Sequence, residues 1–107
     1  MTEVEELELQ KEVNKDLIRQ RDLLNKLEQN PEFKELILDN FCTKECARYV
    51  HVSTDSRVTP EYRENALNTA KAAGYFLNYL DMIRLKGNNA EASMERIDDE
   101  LDAIRGE

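Results

Sequence analysis

The sequence contains no Trp, only three Gly and two Pro, and a single His among its 107 residues. Sheet proteins need a turn about every ten residues, and turns draw heavily on Gly and Pro. Their scarcity therefore argues against a sheet architecture, whereas long helices need few breaks. With 40% hydrophobic and 36% charged residues, the composition predicts one all-α domain over residues 1–107, a bundle of about five helices with a thin core.

Long apolar runs are also missing. No stretch approaches the ~18 apolar residues of a membrane span, and residues 1–6 are acidic where a signal peptide would be basic. We therefore expect a cytoplasmic protein without a membrane partner. In that compartment thiols stay reduced, so Cys42 and Cys46 are expected to be free.

A basic stripe is the third absence. Residues 1–30 carry eight acids and five bases, residues 31–90 eight of each, and residues 91–107 seven acids and two bases. The net charge of −8 thus lies at the two ends of the chain. Nucleic-acid binding needs Lys and Arg that displace counterions from phosphates, so this distribution argues against direct contact with nucleic acid.

Helix boundaries follow from capping residues and breakers. Asn30-Pro31 and Thr59-Pro60 each place a capping side chain before a proline, which is typical of a helix start. Thr43 can cap another helix, and the Gly87-Asn88-Asn89 sequence predicts a stop. The expected helices are a long one over 2–29, two short ones over 31–41 and 44–54, a long one over 60–86 and an acidic one over 90–105.

Apolar residues form narrow stripes on the first and last of these helices. Stripes of this width with polar interruptions suit a coiled coil or a partner-docking helix, although an ordinary bundle helix is an equally weighted alternative for the first. We expect such stripes to be too slender for one copy of so small a chain to cover them. The predicted partner-binding residues are Leu17, Leu24, Leu27, Met94, Ile97, Leu101 and Ile104.

The short helix over 31–41 carries the most apolar face of the chain, made of Phe33, Leu36, Ile37 and Phe41. We expect this face to anchor the core. Tyrosines are common both at interfaces and at the rims of helical cores. Tyr62 and Tyr75 are expected in the core, while Tyr49 and Tyr79 are left open.

The pattern of chemistry-bearing residues does not predict an enzyme. Cys42, Cys46 and His51 are the only soft metal ligands, whereas a zinc site usually has four ligands at recognisable spacing. The glycines stand alone, so no phosphate-binding loop is present, and no group is set to orient a Cys–His pair. We predict no catalytic residue, no metal and no cofactor, and a partner that is another protein or a second copy.

The acidic C-terminal set offers an alternative function. Asp98, Asp99, Glu100 and Asp102 lie close together and could imitate the charge of DNA on a target protein. The simpler interpretation is a solvated helix surface.

Residues 30–38 read NPEFKELIL, and residues 45–50 read ECARYV. With the helix order expected here, these segments resemble a group of small helical proteins of tailed bacteriophages, most of which have no assigned function; the similarity is clearest over residues 24–52. The resemblance implies a protein of the infected bacterial cytoplasm. It implies either a virion or assembly component, which we favour, or an acidic factor that binds and redirects a host protein.

Overall fold

In the computed structural model, which describes residues 2–106, the chain forms three helices. Helix α1 is Glu3–Glu28. The segments Pro31–Phe33, Lys34–Glu45 and Cys46–Ser53 follow one another without a gap and form helix α2. Helix α3 is Pro60–Arg105. The all-α class is thus confirmed, and no strand occurs among residues 2–106. The expected number of five helices is wrong.

Two helix starts are confirmed in detail. The Asn30 side chain accepts a hydrogen bond from the Phe33 amide at 2.8 Å, with Pro31 at the first helical position. Thr59 Oγ1 likewise accepts from the Tyr62 amide at 3.3 Å, directly before α3. Both caps satisfy amides that have no partner within the first helical turn. The boundaries of α1, expected at 2–29, differ from the structure by one residue at each end.

The division of residues 31–54 into two short helices is wrong. Thr43 does not begin a helix, because its hydroxyl donates to the Leu38 carbonyl at 2.9 Å within one continuous helix. The Cys46 amide donates to the Phe41 carbonyl, five residues earlier. That i→i−5 bond is the π-helical pattern, and it extends over Lys34–Glu45. Helix α2 therefore continues through the break expected at Thr43, with the wider turns of a π-helix.

The wider turns change which residues of α2 face inward. An α-helical repeat would place Leu36 on the same face as Phe33, yet Leu36 is 60% exposed. Cys42 is buried instead, and Phe33, Ile37 and Phe41 are half-buried. A π-helix has more residues per turn than an α-helix, so the inward face moves along the sequence from Leu36 towards Cys42.

The predicted stop at Gly87-Asn88-Asn89 is also wrong. Helix α3 continues through these residues, so the two helices expected over 60–86 and 90–105 are one. A C-terminal glycine stop requires a positive φ, and no residue between 2 and 106 has one. Gly87 is buried inside the helix. Its small size serves a close helix contact, described below.

The chain divides into two compact units. The terminal unit combines the chain up to Asn25 with the chain from Asp81 onward, and the central unit is Lys26–Leu80. In the terminal unit α1 and α3 run antiparallel, because Lys11 pairs with Asp98 while Arg21, later in α1, pairs with Glu91, earlier in α3. Its core is Leu7, Ile97 and Leu101, flanked by Val4 and Ile104.

The central unit packs α2 against the first half of α3 through small residues. Ala66, Ala70 and Ala73 are all buried, at the three- and four-residue spacing of one helix face. The Cys46 thiol donates to the Ala70 carbonyl at 3.6 Å. Alanines at these positions let the two helices approach closely, which leaves little room for large core side chains.

Candidate interaction surfaces

The structure places the seven predicted partner-binding residues in three different environments. Leu24, Ile97 and Leu101 are buried, with 4%, 1% and 2% of their surface exposed. Leu17, Met94 and Ile104 are half-buried. Only Leu27, at 44%, is an exposed side chain. The seven residues therefore do not form one free surface.

Much of the two apolar stripes is covered within the terminal unit. Ile97 and Leu101 of α3 pack against Leu7 of α1, and Ile104 flanks them. The idea that these stripes need a second molecule to cover them is wrong for Leu24, Ile97 and Leu101, because an antiparallel helix pair shields each stripe with the other. Contact of these residues with a partner stays a prediction.

Gly87 marks the closest approach of α1 and α3 in the terminal unit. A Cβ atom at this position would lie 2.3 Å from Arg21 Cβ and 3.0 Å from the Leu17 carbonyl oxygen. Next to it, the Arg21 guanidinium pairs with Glu91 and Asp22 and donates to Asn88 Oδ1 at 3.0 Å. Hydrogen bonds to Glu91 and Asp22 raise the pKa of Arg21. The glycine thus allows an ion-paired arginine to lie across the helix contact.

More large apolar side chains are exposed than buried. Among residues 2–106 the buried large ones are five, namely Leu7, Leu24, Leu80, Ile97 and Leu101, whereas thirteen are exposed. Isolated exposed apolar residues are ordinary on protein surfaces, but contiguous ones mark sites of interaction. The arrangement of the thirteen therefore matters.

Four of the exposed residues line one face of α1, which we call the outer α1 face. They are Leu9, Val13, Leu23 and Leu27, exposed by 52%, 53%, 53% and 44%. The sequence predicts Leu27 on one partner-binding stripe with Leu17 and Leu24. The structure separates them, because Leu24 is buried and Leu17 half-buried while Leu27 is exposed.

A groove runs beside the outer α1 face in the terminal unit. It has a volume of about 390 Å³ and is lined by α1 residues Leu9, Gln10, Val13 and Asn14 and by α3 residues Ser93, Arg96 and Ile97. The groove is open to solvent and mostly apolar, and it contains one guanidinium group and no carboxylate. These properties suit a helix or side chains of another protein better than a small charged ligand.

The tyrosines lie nearer the surface than expected. The expectation of core positions is wrong for Tyr62 and Tyr75, which are 53% and 71% exposed. Tyr75 and Tyr79, one helical turn apart on α3, are both exposed. Tyr49 is half-buried and, with Tyr62, lines a hollow of about 120 Å³ in the central unit. That hollow is below the roughly 300–1,000 Å³ of ordinary ligand pockets.

The two thiols and the histidine differ in how deeply they are buried. Cys42 is buried and Cys46 partly buried, and both are free. Burial and the neighbouring Cys46 raise the pKa of the Cys42 thiol. His51 is exposed. Over the described part of the chain, no group of three or more His, Cys, Asp or Glu side chains is arranged to hold a metal ion.

Two members of the C-terminal acidic set already have cationic partners. Asp98 pairs with Lys11 at 2.7 Å, and Glu100 pairs with Arg96 at 2.7 Å. Asp99 and Asp102 are exposed. The charge available to a basic target is therefore smaller than the sequence indicates, because part of it is neutralised within the protein.

Between residues 2 and 106, no helix has both the length and the hydropathy needed to cross a lipid bilayer. The chain matches no protein-family model, no curated protein and no solved structure.

Proposed function

We propose that this chain is a non-enzymatic protein-interaction protein that acts as a bacteriophage virion or assembly component in the cytoplasm of the infected cell. One observation carries the interaction role. Thirteen large apolar side chains are exposed among residues 2–106 against five that are buried, and several of them lie together on helix faces.

The outer α1 face and the Tyr75–Tyr79 pair are the two surfaces that support this role. Each is a regular helix surface, which presents the same side chains at fixed spacing to every partner. Tyrosine and leucine on a rigid helix lose little conformational freedom on binding compared with long polar side chains. Such surfaces suit repeated docking in a symmetric particle. The phage setting rests on the resemblance of residues 24–52.

The alternative role, an acidic phage protein that inhibits a host protein by imitating nucleic acid, has less support from the contacts. Lys11 and Arg96 neutralise two of the four clustered acids. A mimic needs its charge unpaired and facing the target. If mimicry nevertheless operates, binding to a basic target weakens steeply with salt and is lost when Asp98, Asp99, Glu100 and Asp102 are neutralised together.

Mass spectrometry of particles tests the proposed function. Mature virions and assembly intermediates, purified from cells infected with the source phage, are expected to contain this chain in a fixed number of copies. The doubly substituted chain Tyr75→Ala/Tyr79→Ala, supplied in place of the original, is expected to be incorporated at least about tenfold less. Leu36→Ala is the control, because Leu36 is also a largely exposed apolar residue but lies on α2.

Absence of the chain from particles at every stage, together with normal particle yield when its gene is deleted, contradicts the assembly role. Equal incorporation of the tyrosine variant and the control shows that the binding surface lies elsewhere, and it removes the Tyr75–Tyr79 pair from the account.

A further inference from the structure

We propose that a second copy of this chain docks antiparallel on the outer α1 face, related to the first by a two-fold axis that crosses this face at the level of residue 18. The inference rests on the proposed function, since it names one partner for an interaction protein. It is carried by the spacing, the symmetry and the charges of the exposed side chains of α1.

The outer α1 face has the spacing of a coiled-coil seam. Positions 9, 13, 16, 20, 23 and 27 follow one another at intervals of four and three residues. At 3.6 residues per turn, all six side chains lie within about 40° of one direction. The four apolar members are between 44% and 53% exposed. The seam is regular over about five turns of helix, and its apolar members are uncovered.

The order of apolar and polar residues along the seam is also symmetric about the level of residue 18. Leu9 precedes Ile18 by as many residues as Leu27 follows it, and the same holds for Val13 with Leu23 and for Asp16 with Gln20. A two-fold axis through the outer α1 face at the level of residue 18 therefore sets Leu9 against Leu27 of the second copy and Val13 against Leu23 of the second copy. An isologous contact requires this self-complementarity.

The central polar layer selects the antiparallel direction. An antiparallel pair sets the Asp16 carboxylate against the Gln20 amide of the second copy, whereas a parallel pair would set Asp16 against Asp16. Within one chain Gln20 Nε2 already donates to Asp16 Oδ2 at 2.8 Å, and an amide nitrogen has a second proton to donate. Polar residues at seam positions fix register and direction in this way.

The charged residues that flank the seam also favour the antiparallel direction. On the side that carries Glu12, Arg19 and Lys26, the antiparallel register brings Glu12 next to Lys26 of the second copy, twice per dimer. A parallel pair offers no such contact, because it would set Glu12 beside the uncharged Leu17 of the second copy. Arg19 meets Arg19 of the second copy on the axis, and each guanidinium remains paired with its own Asp16 at 2.8 Å. Two attractive pairs thus flank one position of like charge.

The size of the contact predicts a weak dimer. The seam spans about 27 Å of helix from residue 9 to residue 27, and one pair of helices in contact over that length buries less surface than the interface of a permanent dimer. We expect a dissociation constant on the order of 10 μM, so that monomer and dimer exchange at ordinary concentrations.

Cysteine cross-linking of the full-length chain tests the register. In the variant Leu9→Cys/Leu27→Cys, mild oxidation is expected to give a dimer whose disulfides join position 9 of one copy to position 27 of the other, identified by peptide mapping. Within one chain these positions are about 27 Å apart, too far for a disulfide. The single variant Leu9→Cys is the control, and it is not expected to form a disulfide between position 9 of one copy and position 9 of the other.

A charge exchange tests the edge contacts independently. Glu12→Lys and Lys26→Glu are each expected to weaken dimerisation about threefold to tenfold in sedimentation equilibrium, and the double variant is expected to restore it. Both substituted positions are exposed, so the helix content should not change, which circular dichroism checks.

Cross-linking of Leu9→Cys alone through position 9 overturns the antiparallel arrangement, and failure of the double cysteine variant to join positions 9 and 27 overturns the docking surface. Failure of the double charge variant to recover overturns the Glu12–Lys26 contact and with it the register. None of these results shows whether particles contain the chain. The proposed function is therefore tested separately, by the protein composition of the particles.

Discussion

Two glycines of α3 have opposite surroundings. Gly87 is buried, and a Cβ atom there would lie 2.3 Å from Arg21 Cβ. Gly74 is exposed, and a Cβ atom there would meet nothing within 4 Å. Because glycine within a helix loses more backbone entropy than alanine, its presence at position 74 weakens the helix, whereas at position 87 it permits the contact with α1.

The two alanine substitutions are therefore expected to act in opposite directions. Gly74→Ala should raise the free energy of unfolding by about 0.5–1 kcal/mol through helix propensity. Gly87→Ala should lower it by about 1–3 kcal/mol, because the added methyl group forces α1 away from α3. Urea unfolding followed by circular dichroism measures both. Stabilisation by Gly87→Ala equal to that by Gly74→Ala would contradict the close approach.

The two thiols should differ in reactivity. Burial, together with Cys46, raises the pKa of Cys42, and the thiolate is the reactive form. At neutral pH, iodoacetamide should therefore alkylate Cys42 at least about tenfold more slowly than Cys46. Mass spectrometry of the peptides measures both rates, and the difference should disappear in urea. Equal rates in the folded protein would show that Cys42 is accessible.

The same pKa shift makes stability depend on alkaline pH. Because the pKa of Cys42 is higher in the folded than in the unfolded protein, stability is retained below the ordinary thiol pKa and falls as pH rises towards the raised value. Cys42→Ala should flatten this alkaline loss, as measured by thermal unfolding at increasing pH. Cys46→Ala is the control. If stability falls equally steeply with pH in Cys42→Ala, the alkaline loss of stability is due to groups other than Cys42.

At the scale of the helices, caps determine where α2 and α3 begin. Asn30→Ala removes the acceptor of the Phe33 amide and should lower the free energy of unfolding by about 1 kcal/mol. Asn68→Ala is the matched control at an exposed position within α3, where alanine should instead stabilise by a few tenths of a kcal/mol, roughly. Urea unfolding compares the two. Equal effects would mean that the Asn30 cap contributes nothing.

These caps also show what the sequence could predict. Asn30-Pro31 and Thr59-Pro60 act within one helical turn, so their residues alone carry the information. The all-α class follows from composition for a similar reason. The stop expected at Gly87-Asn88-Asn89 depends instead on Arg21, more than sixty residues away in the sequence, because the space for a Cβ atom is limited by the opposite helix. A local pattern does not contain that contact.

The π-helical part of α2 and the outer α1 face cannot be predicted from local patterns, for related reasons. A 3.6-residue repeat over residues 31–41 places Leu36 inside and not Cys42, whereas the hydrogen bonds of this segment give wider turns that bury Cys42 and expose Leu36. On α1, two neighbouring sets of apolar residues both repeat at intervals of three and four residues, so the sequence alone does not show which set is buried. Only the position of α3 shows which stripe is covered, as Leu7 and Leu24 are buried while Leu9 and Leu23 are free.

At the scale of the whole molecule, each unit buries few large side chains. The core cluster of the terminal unit contains three buried residues, Leu7, Ile97 and Leu101, and the central unit relies on alanines. Burial of a large apolar side chain contributes about 1.5–3 kcal/mol against the entropy lost on folding. A protein with so thin a core and an uncovered seam gains stability when a partner covers that seam.

Sedimentation equilibrium of the full-length chain, from about 1 to 300 μM, tests the central claim most directly. We predict a rise in average mass from monomer to dimer for the unsubstituted chain and for Leu36→Lys, whose side chain is exposed outside the seam. Val13→Lys/Leu23→Lys should weaken dimerisation at least about tenfold. A monomer at every concentration, or a dimer equally strong in that double variant, would contradict the claim that the outer α1 face is an interaction surface.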